Sequence, residues 1–426
     1  MAALMFSLLI GLILLGMPVA FSLGIISTSW VMIAGRGIRI VAARVYDGMD
    51  SFTLLAVPFF ILAGEIMNKS GITERLIRFV NFIVGRVPGG LAQANIYTSV
   101  LFAGISGAAI SDASALGTVF IPAMEKEGYS RSFSAMVTAA SAIVGPIIPP
   151  SIMMIIYSGV TGISVGALFA AGFIPGMMLA LGMSILTYFY ALKRKYPKHE
   201  VAFTLKEFLL YFKDAFLALM TPVIIIGGIL FGVFTPTEAA AVTVFYALVL
   251  GVFVYRKVKP RDILDAMKNT IRVSSMLLFI IGVAMIFGWI TARLRIHRLV
   301  LEALLTLTTN PALLMFIVIG IFVFVGTWLE PAVSIAILVP LMLPVMEQIG
   351  VHPLHFAIVT IVTLCVGLIT PPLGTVLYGV VAVGKIKFEH VVREIWPYLL
   401  VDFIVILILA YSPQVTLFLP GLLGFI

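Results

Sequence analysis

Gly104-Ile105-Ser106-Gly107-Ala108-Ala109-Ile110-Ser111-Asp112-Ala113-Ser114 interrupts one apolar stretch, and Gly145-Pro146-Ile147-Ile148-Pro149-Pro150-Ser151 interrupts the next. Small, hydroxylated and glycine residues in the middle of an apolar stretch mark a chain that leaves the helix. Leu91–Phe102 precedes the first interruption and an apolar run to Met124 follows it. Each piece is too short to cross a bilayer, which takes ~20 residues. They predict a re-entrant hairpin with its tip near the midplane, where irregular backbone survives only if protein buries it or it lines a wet cavity. The second interruption lies inside Phe133–Tyr157. Proline removes a backbone donor and clashes with the preceding turn, so Pro146, Pro149 and Pro150 together predict a broken helix.

Both interruptions recur at a constant offset of 222 residues, from Gly104 to Gly326 and from Pro150 to Pro372. Without a gap, Pro122 meets Pro344, Gly128 meets Gly350, Gly145 meets Gly367 and Pro149 meets Pro371. Matching glycines and prolines carry the argument, because apolar residues coincide often by chance in such a chain. The second copy therefore holds its own hairpin tip, Gly326-Thr327-Trp328-Leu329-Glu330-Pro331, and its own break, Gly367-Leu368-Ile369-Thr370-Pro371-Pro372. The first copy's connecting loop, 125–131, carries Lys126 and Arg131, whereas its counterpart, 347–352, has no Lys or Arg. Basic residues accumulate in cytoplasmic loops, so the two copies are expected to be inverted, as in secondary transporters that alternate access around a midplane site.

Of 426 residues, 62% are hydrophobic and 11% charged, and mean hydropathy is +1.18. A soluble domain has about 45–50% apolar and ~25% charged residues. A bilayer must be part of this chain's solvent, and at least ten apolar stretches approach spanning length, among them Met5–Ala34, Leu217–Phe234 and Ile395–Phe418. The expected fold is an all-α polytopic membrane protein, an inverted-repeat transporter with two re-entrant hairpins and two broken transmembrane helices. The net charge of +8 informs orientation rather than nucleic-acid binding. Lys193-Arg194-Lys195 with Lys198, Arg256-Lys257 with Lys259 and Arg261, and Lys385 with Lys387 are placed on the cytoplasmic side. Arg293, Arg295 and Arg298 then fall on the opposite side, against the trend. No Lys or Arg precedes Arg36, so the first apolar run reads as a retained anchor rather than a signal peptide. Met5–Ala34 reads either as one kinked span or, split at Gly16-Met17-Pro18, as two shorter pieces. Ile38–Ser51 and Lys195–Lys213 read as amphipathic interface helices.

Unwound segments free carbonyl oxygens, and a helix C-terminus adds partial negative charge. Together they suit a hard cation such as Na⁺, while the opposing half-helix N-terminus suits a carboxylate. An ATP-driven pump would need a G-x-x-x-x-G-K-[ST] loop, and a haem-bearing membrane enzyme would need axial ligands within the bundle. The chain has neither motif nor mid-helix histidine by this reading, so it is not expected to be an enzyme. His352 and His355 read as solvated loop residues or a helix start. Asp112 is either the N-cap of the second half-helix or a residue that orders the tip, or else a direct cation ligand, and Glu330, just before Pro331, carries the same ambiguity at the other tip. Arg293 is either a snorkelling end residue or a contact to an anionic substrate or partner. Thr235-Pro236-Thr237-Glu238 reads as a capping box with Pro at the first helical position. Cys365, the lone cysteine, reads as a packing residue.

The stretch GISGAAISDASALGTVFIPAMEKEGYSRSFSAMVTAASAIVGPIIPPSIMMIIYSGVTGISVGALFAAG resembles the most characteristic part of the large membrane subunits of TRAP (tripartite ATP-independent periplasmic) transporters. VPFFILAGEIMNKSGI from Val57, FTPTEAAAV from Phe234 and LITPPLG from Leu368 agree, and the resemblance covers essentially the whole chain. It implies sodium-coupled import of an organic acid across the bacterial inner membrane by an elevator motion. It further implies a small four-helix membrane subunit and a periplasmic substrate-binding protein as partners. The transport domain would comprise residues 91–160 and 312–384. Residues 1–90, 161–311 and 385–426 would form scaffold and arms. The first sodium site would use Ser106, Ala108, Gly145, Ile148 and Pro150, and the second Gly326, Thr327, Gly367, Thr370 and Pro372. Trp328 at the position of Ser106 makes the second set a departure from the first. Ser106, Asp112, Arg293 and Thr370 are the candidates for substrate contact. The chain looks closest to sialic-acid members. A one-component sodium–carboxylate carrier needing no binding protein is the alternative.

Overall fold

A computed structural model describes residues 2–198 and 204–426. Among the described residues there are helices and no strand, as expected where lipid offers no partner to a backbone amide. In chain order these are α1 (Ala2–Leu14), α2 (Val19–Ile33), α3 (Arg39–Met49), α4 (Ala56–Lys69) and α5 (Ile72–Val84). Next come α6 (Gly90–Ser106), α7 (Ala109–Lys126), α8 (Arg131–Ala142), α9 (Ile152–Thr161) and α10 (Val165–Arg194). They are followed by α11 (Leu205–Leu230), α12 (Pro236–Leu248, prolonged by a π-turn over Val249–Val254), α13 (Pro260–Arg293) and α14 (Ile296–Leu307). The chain ends with α15 (Pro311–Trp328), α16 (Pro331–Gln348), α17 (Pro353–Gly367), α18 (Thr375–Gly384), α19 (Phe388–Tyr411) and α20 (Pro413–Leu422).

The expected ten or more spans resolve differently. Among the described residues seven helices are long and apolar enough to cross a membrane; glycine and proline divide the rest into shorter pieces. Gly16, at φ +85°, folds Met5–Ala34 into two half-length helices rather than one kinked span. Ile395–Phe418 is likewise split before Pro413. Of the two anticipated interface helices, α3 forms within Ile38–Ser51 and packs against α13. A Cβ on Gly48 would come within 2.7 Å of Met285 Cγ, and one on Gly282 within 2.8 Å of the Val45 carbonyl oxygen. In the other, Lys195–Lys213, residues 199–203 lie outside the described residues, and 205–213 begin the 26-residue α11.

The 222-residue offset holds in three dimensions. It carries α7 onto α16 at both ends, the last residue of α6 onto that of α15, and the first residue of α8 onto that of α17. Both Pro-Pro bonds, Pro149-Pro150 and Pro371-Pro372, are cis. The inversion can be read along α19. Near its start, Glu394 accepts two hydrogen bonds from Arg194 at 3.1 and 2.7 Å. Tyr196, two residues on, stacks with Tyr129 of the first hairpin's loop at 4.4 Å between ring centroids. At the other end, Tyr411 donates a hydrogen bond to the Ala312 carbonyl at 3.0 Å, where the second hairpin opens. The two hairpins thus open at opposite ends of a helix about 36 Å long.

The capping box at α12 forms as expected. The Glu238 carboxylate accepts from the Thr235 N–H at 2.8 Å, and the Glu238 N–H donates to Thr235 Oγ at 3.3 Å. Thr235→Ala is expected to fray this turn, seen as faster amide exchange at Glu238 with exchange at the far end of α12 unchanged. His352 caps α17 by accepting the Leu354 N–H at 3.2 Å. His355 departs from the loop reading: it is buried inside α17, 2.8 Å from Thr416 Oγ and 3.3 Å from the Ala410 carbonyl oxygen. Two buried partners, supplied by α19 and α20, let an imidazole sit in the first turn of α17 away from solvent.

Candidate functional site

Each hairpin tip is seated on the broken helix of its own repeat. At the first tip, α6 ends at Ser106, Gly107 turns left-handed at φ +61°, and Ala108 is extended before α7 begins. The side chains of Ile105 and Ser106 lie outside the described residues. A Cβ on Gly107 would stand 2.9 Å from the Pro150 carbonyl oxygen and 3.3 Å from the Ile152 N–H nitrogen. The tip therefore touches the unwound stretch between α8 and α9, where Gly145, Ile148 and Pro150 are all buried. Ser99 Oγ to Ser141 Oγ at 2.9 Å and Asn95 Nδ2 to Thr138 Oγ at 2.7 Å tie α6 to α8 below the tip.

Ala108, not Asp112, is the N-cap of α7. Asp112 lies in the first turn, its N–H bonded to the Ala108 carbonyl at 3.1 Å. The cap reading fails because the chain re-enters the helix immediately after the turn at Gly107. The Asp112 side chain is fully buried, and its carboxylate fills the space that a side chain on Gly145 would need. Gly145 therefore admits a carboxyl group to the break, and one of the five candidate sodium positions is in contact with the Asp112 side chain.

The second repeat solves the same problem differently. Ser334 occupies the position of Asp112 and hydrogen-bonds the Glu330 carbonyl at 3.2 Å. Here tip and break meet backbone to backbone: a Cβ on Gly367 would lie 2.6 Å from the Gly326 carbonyl carbon, and one on Gly326 3.0 Å from the Leu364 carbonyl oxygen. Thr327, Thr370, Pro371 and Pro372 line one cavity of about 480 Å³ with Phe403 and Ile406 of α19. Trp328, the departure from the first repeat, is exposed and packs on Phe324 at 6.5 Å, outside this contact.

The two tips share a second cavity of about 390 Å³. Ala108, Ile110, Ser111 and Ser114 come from the first tip, Glu330 from the second, and Ile152 and Met153 from α9. The opposite wall is Glu65 of α4 with Asn269 and Leu277 of α13, and Asn269 Nδ2 donates to Glu65 Oε1 at 2.7 Å. Glu330 stands at the N-cap position of α16 but makes no capping hydrogen bond with its side chain. Among the described residues no lysine, arginine or histidine lines this cavity. Arg293 is not brought to it: it lies about 24 Å beyond Leu277 along α13, exposed, with its guanidinium 5.9 Å from the Trp289 ring. Glu65 and Asn269 were missed from sequence, although a lone carboxylate inside VPFFILAGEIMNKSGI was the available signal. Asp402 was missed too. It is buried in α19 with neither carboxylate oxygen hydrogen-bonded.

The chain matches the family described as "Tripartite ATP-independent periplasmic transporter, DctM component" over residues 6–415. It is 41% identical over 414 residues to the sialic acid TRAP transporter large permease protein SiaM of Vibrio cholerae serotype O1, covering 97% of each chain. It is 35% identical over 438 residues to the C4-dicarboxylate TRAP transporter large permease protein DctM of Rhodobacter capsulatus, covering 99% of each. Among solved structures, the YdaH transporter of Alcanivorax borkumensis shares the fold with a TM-score of 0.64 at 15% identity, over 91% of this chain and 89% of that one.

Proposed function

We propose, from the premise that the chain belongs to the DctM family of tripartite ATP-independent periplasmic transporters, that it is the large permease subunit of a sodium-coupled importer of an organic acid. The observation that carries the reading is the cavity walled by both hairpin tips on one side and by α4 and α13 on the other. A site at the boundary between the repeat units and the remaining helices is what a moving transport body needs. Residues 91–160 and 312–384 form that body and slide as an elevator within a scaffold of residues 1–90, 161–311 and 385–426. A small four-helix membrane subunit and a periplasmic substrate-binding protein complete the assembly in the bacterial inner membrane.

The chemistry of the cavity ties substrate to sodium. With Glu65 and Glu330 in its wall and no basic side chain among the described residues, it offers a carboxylate the free N–H groups at the starts of α7 and α9, whose positive helix ends favour an anion. Sodium ions at the two tip–break contacts supply the missing positive charge. Ser106, Ala108, Gly145, Ile148 and Pro150 hold the first ion, with Asp112 neutralising it. Gly326, Thr327, Gly367, Thr370 and Pro372 hold the second. Sialic acid is the first substrate to test, because a sialic acid permease is 41% identical and a C4-dicarboxylate permease 35%.

The test is uptake of labelled sialic acid into liposomes holding the chain and its small membrane partner, with the sodium gradient and the binding protein varied independently. Uptake is expected only with inward sodium and binding protein together. Sodium-driven uptake without binding protein would replace this reading by a one-component carrier. Uptake of a dicarboxylate but not sialic acid, under both requirements, would change the substrate and keep the mechanism.

A further inference from the structure

The end of α13 remote from the cavity gathers positive charge that the transport reading does not use. Arg36, which follows α2, Arg44 of α3 and Arg293 of α13 converge on Trp289, with guanidinium carbons 5.5, 5.8 and 5.9 Å from its ring centroid. Guanidinium stacks favourably on an aromatic face, but three like charges around one ring repel one another unless an anion joins them. Among the described residues Arg36 and Arg293 have no ion pair, and Arg44 reaches only Asp47, at 3.9 Å. Trp30 stands edge-on to Trp289 at 6.3 Å and 82°, and its buried indole N–H has no acceptor.

Trp30 also lines an apolar groove of about 290 Å³ between α1 and α2, together with Leu4, Leu8, Leu12, Ile26 and Ile33. Leu8 is 51% and Ile33 74% exposed, so the groove opens sideways, toward lipid in a membrane-spanning protein. Tryptophan belongs at the water–lipid interface, which sets the arginines at headgroup level and the groove at acyl-chain depth. A planar guanidinium fork matches phosphate oxygens two at a time. A cationic cluster continuous with an apolar slot fits a ligand with an anionic head and an apolar tail.

We infer that the α13 end is a binding site for an anionic phospholipid, with Arg36, Arg44 and Arg293 around Trp289 holding the phosphate and the groove between α1 and α2 holding an acyl chain. It also gives a reason for arginines on the side opposite the basic loops: their partner is lipid, and topology does not require them there.

Native mass spectrometry of the full chain, purified in detergent and titrated with phosphatidylglycerol or with phosphatidylcholine of the same chains, tests this. Phosphatidylglycerol is expected to be retained at about tenfold lower concentration than phosphatidylcholine, for two to three charge-assisted contacts. Arg36→Gln with Arg44→Gln should abolish that preference, and Leu8→Trp, which fills the groove, should weaken retention of both lipids. If the arginine variant fails to fold, the groove variant alone decides. An unchanged phosphatidylglycerol preference in the arginine variant would overturn the site. Thermal stabilisation by inorganic phosphate equal to that by phosphatidylglycerol would make it a soluble-anion site instead. Intact lipid retention in both variants, with weakened binding of a soluble partner protein, would reassign the surface to protein docking.

Discussion

Gly367→Ala is expected to abolish sodium-driven uptake, while Gly320→Ala, in the hairpin of the same repeat, leaves it intact. The methyl added at Gly367 would meet the Gly326 carbonyl carbon at 2.6 Å and its Cα at 2.7 Å. Both are backbone atoms of α15 and cannot swing aside as a side-chain end would. The second tip must then lift from its broken helix, and overpacking of this kind costs roughly 1–3 kcal/mol. Nothing lies within 4 Å of a Cβ on Gly320, which belongs to α15, the helix that Gly367 presses against, so that variant controls for adding a methyl to a glycine of the same repeat. Uptake by proteoliposomes and thermal unfolding of the purified variants give the comparison. Gly367→Ala transporting at the wild-type rate would show that the Gly326–Gly367 contact is not needed for function.

Asp112→Asn should raise the half-saturating sodium concentration at least tenfold without unfolding the protein. The substitution keeps the shape that fits against Gly145 and removes the charge. Hydrogen bonds and contacts to a charged group are worth about 1.5–3 kcal/mol, and each 1.4 kcal/mol is about tenfold in affinity. Ser334→Ala, the same position in the second repeat, should shift sodium dependence far less, because Ser334 already spends its hydroxyl on the Glu330 carbonyl of its own helix. The sodium titration of uptake separates the two variants. Equal shifts in both would mean that the carboxylate has no special part in the first site.

Much of this protein is legible along the chain because its chemistry is local. Gly107 and Gly145 with the prolines at 146, 149 and 150 act within a turn of where they stand, so the hairpin and the break follow from their spacing alone. The repeat doubles that evidence, and a capping box needs only four residues. Misreadings arose where a distant element supplied the partner. His355 reads as a loop residue or a helix start; it lies in the first turn of α17, and only the tertiary structure shows Thr416 and the Ala410 carbonyl enclosing it. Asp112 looks like a cap until the backbone shows Ala108 in that place and Gly145 making room for its carboxylate. Arg293 reads along the chain either as a snorkelling end residue or as a contact to substrate or partner, and only α13 places it about 24 Å past the cavity.

By itself the sequence determined that the chain is an all-helical membrane protein with two inverted copies of a hairpin and a broken helix, because hydropathy, glycine and proline act through solvent and backbone at their own positions. Only the tertiary structure decided which surfaces face each other. It brought Glu65 and Asn269, over 150 residues apart, to one cavity wall, filled the space at Gly145 with a carboxylate, and pressed Gly326 against Gly367. Such pairings depend on how helix faces pack, and a face is chosen by the fit of every neighbour at once.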